Sequence, residues 1–194
     1  MKNKFNIVIV GVGGQGIGML SEILIRALDF SEIKVKGVDT HGLAQRGGSV
    51  ISFLRTGEDI FSPLVKKNSA DLIIALEMYE AYNALIDFAV PEKTVLVHYE
   101  TSWQPLGVRL RKDNILKGSI IKDICLKNNI KEIPVIVENL PDPLMINMAI
   151  LAEMIKRNTL KGLSLFSCET ATKDLMNDSI YKKNIDFMYK YIDK

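Results

Sequence analysis

At 194 residues the chain is long enough for one well-buried core and short for two ordinary domains, and 47% apolar with 25% charged residues is a globular balance. Net charge is only +2 and the 25 Lys and Arg are spread along the chain, so neither nucleic acid nor a membrane surface is expected as a partner. Cys125 and Cys168, far apart and without a CxxC neighbour, argue against a disulfide scaffold or a cysteine-ligated cluster on this chain.

Phe5 to Val10 is a continuous apolar, β-branched run ending in glycines, the pattern of a central parallel strand buried on both faces. The run is short and reads as a strand rather than a signal peptide, and no apolar segment reaches the roughly twenty residues of a bilayer span. The cytoplasm is the expected compartment. From Gln15 the period changes, and Ile17, Leu20, Leu24, Ala27 and Leu28 predict a helix over residues 15–29. Ile33 to Val38 is a second strand, closing a βαβ unit. A polar, glycine-rich loop carrying His41 to Gly48 follows. Val50 to Leu54 then reads as a strand, with Thr56-Gly57-Glu58-Asp59 as a turn back towards Ile60 and Phe61.

Asp71 to Leu76 is the next buried strand, followed by a helix from Glu77 to Phe88 that Pro91 stops, and by a strand from Thr94 to His98. Tyr99 to Arg111 has mixed patterning. Ile120 to Asn129 reads as a helix and Pro134 to Val137 as a strand. Asp142-Pro143 is a helix start, the carboxylate as N-cap and the proline at the first helical position. The helix after it, Leu144 to Ile155, is apolar nearly all round, so it is either central to the core or covered by another subunit. Its apolar surface predicts an interface, with a homodimer open to the isolated chain. Glu169 to Tyr191 alternates apolar and charged residues at helical spacing. The expectation is one α/β domain over residues 1–194: a Rossmann-like, mostly parallel doubly wound sheet with one antiparallel hairpin excursion, and a helical extension from about residue 165.

Gly11, Gly13 and Gly16 satisfy GxGxxG between a strand and a helix, where glycines permit a tight turn and the helix N-terminus can hold an anion. Asp39, twenty-three residues after Gly16, stands where a ribose-binding acid belongs. These features alone favour NAD, although any doubly wound fold needs a tight first crossover. In the later segment, the twin glycines Gly47 and Gly48 admit backbone conformations closed to other residues, and Arg46 offers a planar fork for a carboxylate or phosphate. Arg46 serves equally to tie the loop to its own sheet edge or a partner. Glu77 ends a strand at the crevice where open α/β sheets bind ligands, and helix capping is its quieter role. His41 and His98 have no metal-ligand companions.

Gly11-Val12-Gly13-Gly14-Gln15-Gly16, followed by His41-Gly42-Leu43-Ala44-Gln45-Arg46-Gly47-Gly48-Ser49, resembles the gamma-type subunit of the 2-oxoacid:ferredoxin oxidoreductases. The likeness is strongest to the small (beta) subunit of indolepyruvate ferredoxin oxidoreductase, whose pattern has methionine where this chain has Leu43. Asp71 to Glu77, Ser62-Pro63-Leu64 and Asn147 to Leu151 continue it.

The resemblance implies oxidative decarboxylation of a 2-oxoacid, an arylpyruvate such as indolepyruvate, to acyl-CoA with ferredoxin as acceptor. It implies a large alpha subunit as partner, holding thiamine diphosphate, magnesium and [4Fe-4S] clusters, so this chain carries no cofactor, no metal and no catalytic residue, and is inactive alone. Ligand- or phosphate-binding candidates are Gly11, Gly13, Gly14, Gln15, Gly16, His41, Gln45, Arg46, Gly47, Gly48 and Glu77, with coenzyme A as the ligand the reaction offers. The alternatives are an autonomous NAD(P)-binding oxidoreductase and a purely scaffolding subunit.

Overall fold

The structure, a computed structural model, describes residues 4–40, 48–100, 118–138 and 140–193. Six strands form one sheet: β1 (Phe5–Val12), β2 (Val35–Thr40), β3 (Ser49–Thr56), β4 (Leu72–Ala75), β5 (Val95–Tyr99) and β6 (Lys131–Val135). Their order is β2-β3-β1-β4-β5-β6. β1, β4, β5 and β6 are parallel neighbours, and β3 runs antiparallel to both β1 and β2. The expected doubly wound sheet with an antiparallel excursion is what forms.

Alternation along β1 sorts the helices into two layers. Ile7 and Ile9 face α1 (Ile17–Phe30), α4 (Ile146–Lys156), α5 (Leu165–Leu175) and α6 (Asp178–Ile192). Val8 and Val10 face α2 (Met78–Phe88) and α3 (Gly118–Lys127). All four side chains are essentially inaccessible. A strand covered on both faces needs an unbroken apolar run, which is why Ile7 to Val10, all buried, lacks the polar alternation of a half-exposed strand.

The antiparallel strand has different partners from those its sequence suggests. Residues 56–59 do not turn β3 back onto Ile60 and Phe61. β3 instead fills the place between β1 and β2, pairing Val10 with Ile51 on one side and Asp39 with Ser52 on the other. Beyond it Gly57, at a φ of 131°, donates to Lys34 O, and Arg55 Nη1 donates to Ser62 O. Pro63 has no amide to offer a ladder. Ile60 turns into the core and Phe61 stays 92% exposed. The unit β1–α1–β2 is therefore a crossover that skips one strand position.

The apolar helix α4 corrects a second expectation. Every residue from Ile146 to Met154 is buried within this chain, so the helix offers no uncovered face to a second subunit. The sheet lies on one side, and α5 and α6 close the other with Cys168, Ala171 and Met188. Helix α5 opens with a Ser164–Ser167 capping box, and the Asn177 side chain caps α6 by accepting from Ile180 N. Asp142 accepts from Leu144 N as expected, though the turn it starts, Pro143–Met145, is a 3-10 turn leading into α4. No helix among the described residues is long and apolar enough to cross a membrane.

Candidate functional site at the glycine turn

The turn from β1 to α1 sits at the carboxyl edge of the parallel strands, the edge where open α/β sheets bind ligands. Three glycines there have distinct physical duties. A Cβ on Gly11 would lie 2.8 Å from Gln15 Oε1 and 3.1 Å from both Ile17 Cδ1 and Leu76 Cβ, so side-chain packing already fills that space. Gly14 has a φ of 100° and nothing among the described residues within 4 Å of its Cβ position, which makes it the open point of the turn. Gly16, at a φ of 81°, is the N-cap of α1, and no side chain caps that helix.

Gln15 folds back into the turn. Its Oε1 accepts from Val12 N at 2.8 Å and its Nε2 donates to Leu76 O at 3.4 Å, which joins the ends of β1 and β4. Gly13 N donates to Gly48 O at 2.9 Å. That bond ties the glycine turn to the end of the second glycine segment. Of that segment, His41, Gln45, Arg46 and Gly47 lie outside the described residues.

Glu77 is wholly buried at the end of β4 and caps α2, its Oε2 accepting from Tyr79 N at 2.7 Å and Glu80 N at 3.1 Å. This is its capping role made concrete. Asp39 accepts a hydrogen bond from Ser52 Oγ, and its other oxygen lies 3.6 Å from the Cβ position of Gly18 in the first turn of α1. The intruding β3 puts β2 one strand further from β1 than in the ordinary dinucleotide-binding order.

Sequence reasoning passed over two features. Asn147, the one polar residue between Leu144 and Ala152, is 3% exposed and donates from Nδ2 to Gly16 O at 3.0 Å. A lone amide in an apolar helix is the signal that reveals it, because a buried polar group needs a partner. Ser49, the last residue of the second motif, donates to Glu80 Oε2 at 2.6 Å. Burial pushes the Glu80 carboxyl above its usual range, and the Ser49 hydroxyl pulls it partway back. His98, on β5, pairs through Nε2 with Glu132 Oε1 at 2.9 Å, while its buried Nδ1 has no partner.

Among the described residues the donor set does not suit a cluster or a metal ion. Both thiols are buried, and burial pushes each up to about 12, with Glu132 adding to the effect at Cys125. An iron–sulfur cluster takes four thiolates. No group of three or more His, Cys, Asp or Glu able to hold a metal occurs among the described residues.

Comparison with known proteins gives a consistent picture. An indolepyruvate oxidoreductase subunit IorB from Archaeoglobus fulgidus is 49% identical over 78 residues, 40% of this chain and 38% of that protein. Its Thermococcus kodakarensis counterpart is 44% identical over 78 residues, 40% of this chain and 39% of that protein. The match thus spans about two fifths of the length of these curated relatives. Among solved structures, pyruvate oxidoreductase subunit PORC from Thermotoga maritima superposes with a TM-score of 0.66 at 13% identity, covering 100% of this chain and 97% of that one. A 2-oxoglutarate:ferredoxin oxidoreductase from Magnetococcus marinus gives 0.61 at 14% identity, covering all (100%) of this chain but 32% of that one. At those identities the structures speak for the fold. The model of the pyruvate ferredoxin/flavodoxin oxidoreductase family matches residues 6–190, and the chain belongs to that family.

Proposed function

We propose that this chain is the small subunit of a ferredoxin-dependent 2-oxoacid oxidoreductase acting on arylpyruvates such as indolepyruvate. The complex converts the 2-oxoacid and coenzyme A to acyl-CoA and carbon dioxide, and passes two electrons to ferredoxin. A large alpha subunit holds thiamine diphosphate, magnesium and the iron–sulfur clusters, and the isolated chain is inactive. The identity to indolepyruvate oxidoreductase subunits over 78 residues is the observation that carries the arylpyruvate assignment.

Within that complex the glycine turn contacts an anionic ligand, coenzyme A being the one the reaction supplies. The support is local: Gly14 is open, and α1 starts without a side-chain cap, leaving its first amides for an anion. His41, Gln45 and Arg46 belong to the same proposal, as residues of a segment whose end is bonded to the turn through Gly48. The test is co-expression with the large subunit and assay on a panel of 2-oxoacids with a viologen acceptor. Arylpyruvates are expected to lead, with no turnover by either chain alone. Failure of the pair on every 2-oxoacid would sink the assignment.

One observation favours the scaffolding reading of the turn itself. Gln15 accepts from Val12 N and donates to Leu76 O, and Asn147 donates to Gly16 O, which ties the turn to β4 and α4 whether or not a ligand arrives. A Gly14→Val variant separates the two readings. Ligand contact predicts a raised KM for coenzyme A at unchanged kcat, and scaffolding predicts an unchanged KM.

A further inference from the structure

A cavity of about 430 Å³ opens between the first turn of α1, the start of α4 and the corner joining α5 to α6. It shares only Gly16 with the glycine turn. Its size falls in the range of small-molecule sites, about 300–1,000 Å³. Four of the chain's eight methionines, Met19, Met145, Met148 and Met176, line it. Thioethers are polarisable, adapt their shape, and make favourable contacts with aromatic rings. Leu144 and Ile180, both about half exposed, add apolar surface at its lining. Apolar side chains left uncovered around a concave site favour an occupant with an apolar body.

The charges in the wall are unequal in what they have left to give. Asp142 already accepts from Leu144 N at its own helix start. Lys183, the one cation among the described lining residues, is exposed and forms no ion pair among the described residues. The first turn of α1, which carries no side-chain cap, contributes Gly16 and Met19 to the same wall. Its unpaired amides place partial positive charge there.

We propose that this cavity is a binding site for a small aryl carboxylate, its ring among the methionines and its carboxylate at Lys183 and the start of α1. The proposal rests on the cavity alone and stands whether or not the complex acts on arylpyruvates.

The methionines also supply the readout. The full chain labelled at its methionine methyl groups with carbon-13 is titrated by NMR with 3-phenylpropanoate and, separately, with 3-phenylpropan-1-ol. The acid is expected to shift the methyls of Met19, Met145, Met148 and Met176 and to leave those of Met78, Met154 and Met188 in place. It should bind at least about tenfold more tightly than the alcohol, the alcohol lacking the charge-assisted contacts. Lys183→Gln, at an exposed position, should weaken the acid about two- to fivefold, the range of an exposed ion pair, and leave the alcohol unchanged. Met19→Trp, which fills the cavity, should abolish both. Equal affinity for acid and alcohol overturns the carboxylate assignment. No shift at millimolar acid, or shifts spread over all the methyls, overturns the site. Shifts at the four methyls that appear only on adding the large subunit make the cavity a protein-docking pocket and overturn it too.

Discussion

Gly16 and Asn147 stand 131 positions apart, yet the structure makes them a single energetic unit. In Gly16→Ala the backbone must hold alanine at a φ of 81°, a left-handed conformation that costs an L-residue about 1–2 kcal/mol. The new methyl would also lie 2.8 Å from Asn147 Nδ2 and must displace that amide. The displaced amide is buried, and losing its one bond costs a further 1–3 kcal/mol or so. Gly14→Ala is the internal control. Its φ of 100° also strains an L-residue, but no described residue lies within 4 Å of the new methyl. Asn147→Ala alone should be mild, below about 1.5 kcal/mol, because Gly16 O keeps Leu20 N at 3.0 Å and an unpartnered Oδ1 leaves with the side chain. Urea unfolding followed by far-ultraviolet circular dichroism measures the cycle. Gly16→Ala is expected to exceed Gly14→Ala by about 1 kcal/mol or more, and that excess should vanish in the Asn147→Ala background. Equal costs for the two glycine variants, or strict additivity with Asn147→Ala, would refute the reasoning.

Other consequences are as direct. Gln15→Leu removes the two bonds by which that side chain bridges Val12 at the end of β1 and Leu76 at the end of β4, and should destabilise the chain by about 1–2 kcal/mol in the same assay; no change in the urea midpoint would show that the bridge carries nothing. Met148→Lys puts a cation at a position 1% exposed, and it should lose the folded chain with or without a partner subunit; soluble, cooperative unfolding by that variant would contradict the burial of α4. Neither Cys125 nor Cys168 should react with a thiol reagent at pH 8 until denaturant is added, since both are buried and pushed up to about 12. Glu80 binds its proton more tightly folded than unfolded, so its contribution to stability is present below the ordinary carboxyl value of 4.5 and is lost as pH rises through the raised folded value. Glu80→Gln should therefore flatten the pH dependence of stability just above that value and be no less stable at neutral pH; a variant less stable at pH 7 with an unchanged slope would reverse the sign.

The parts of the fold that could be read from sequence are those decided locally. The apolar run Ile7 to Val10 of β1 and the helical period of α1 each bury a pattern within one element, and both elements lie where the pattern puts them. β3 could be read as a strand, but its neighbours could not. Its pairing depends on β2 and β1 closing around it from opposite sides, which no turn residue in 56–59 encodes. The apolar perimeter of α4 left two readings, core or interface. The choice fell to α5 and α6, whose polar composition conceals how much of one face they bury against α4. The glycine turn was visible as a set of residue types. What stayed hidden was that Gln15 turns inward and that Asn147 arrives from far along the chain, because spacing says nothing of where an amide points.

The exchange of strand positions and the tie between the two glycine segments are aspects of one arrangement. In the ordinary dinucleotide-binding order the second strand lies beside the first, and the amides after it are free to face a pyrophosphate. Here β3 lies beside β1 and starts at the same edge, with Val12 opposite Ser49. The start of β3 is thereby set beside the glycine turn, where Gly48 O takes the Gly13 amide. An amide that an anion would otherwise meet is already bonded, and Asp39 gives one of its oxygens to Ser52. Both hallmarks of nicotinamide binding that the sequence displays are thus at least partly engaged in holding β2, β3 and β1 together. What remains open is narrower, Gly14 and the uncapped start of α1. An edge built this way suits contact with one end of a ligand, or with a neighbouring subunit, better than the enclosure of a whole dinucleotide.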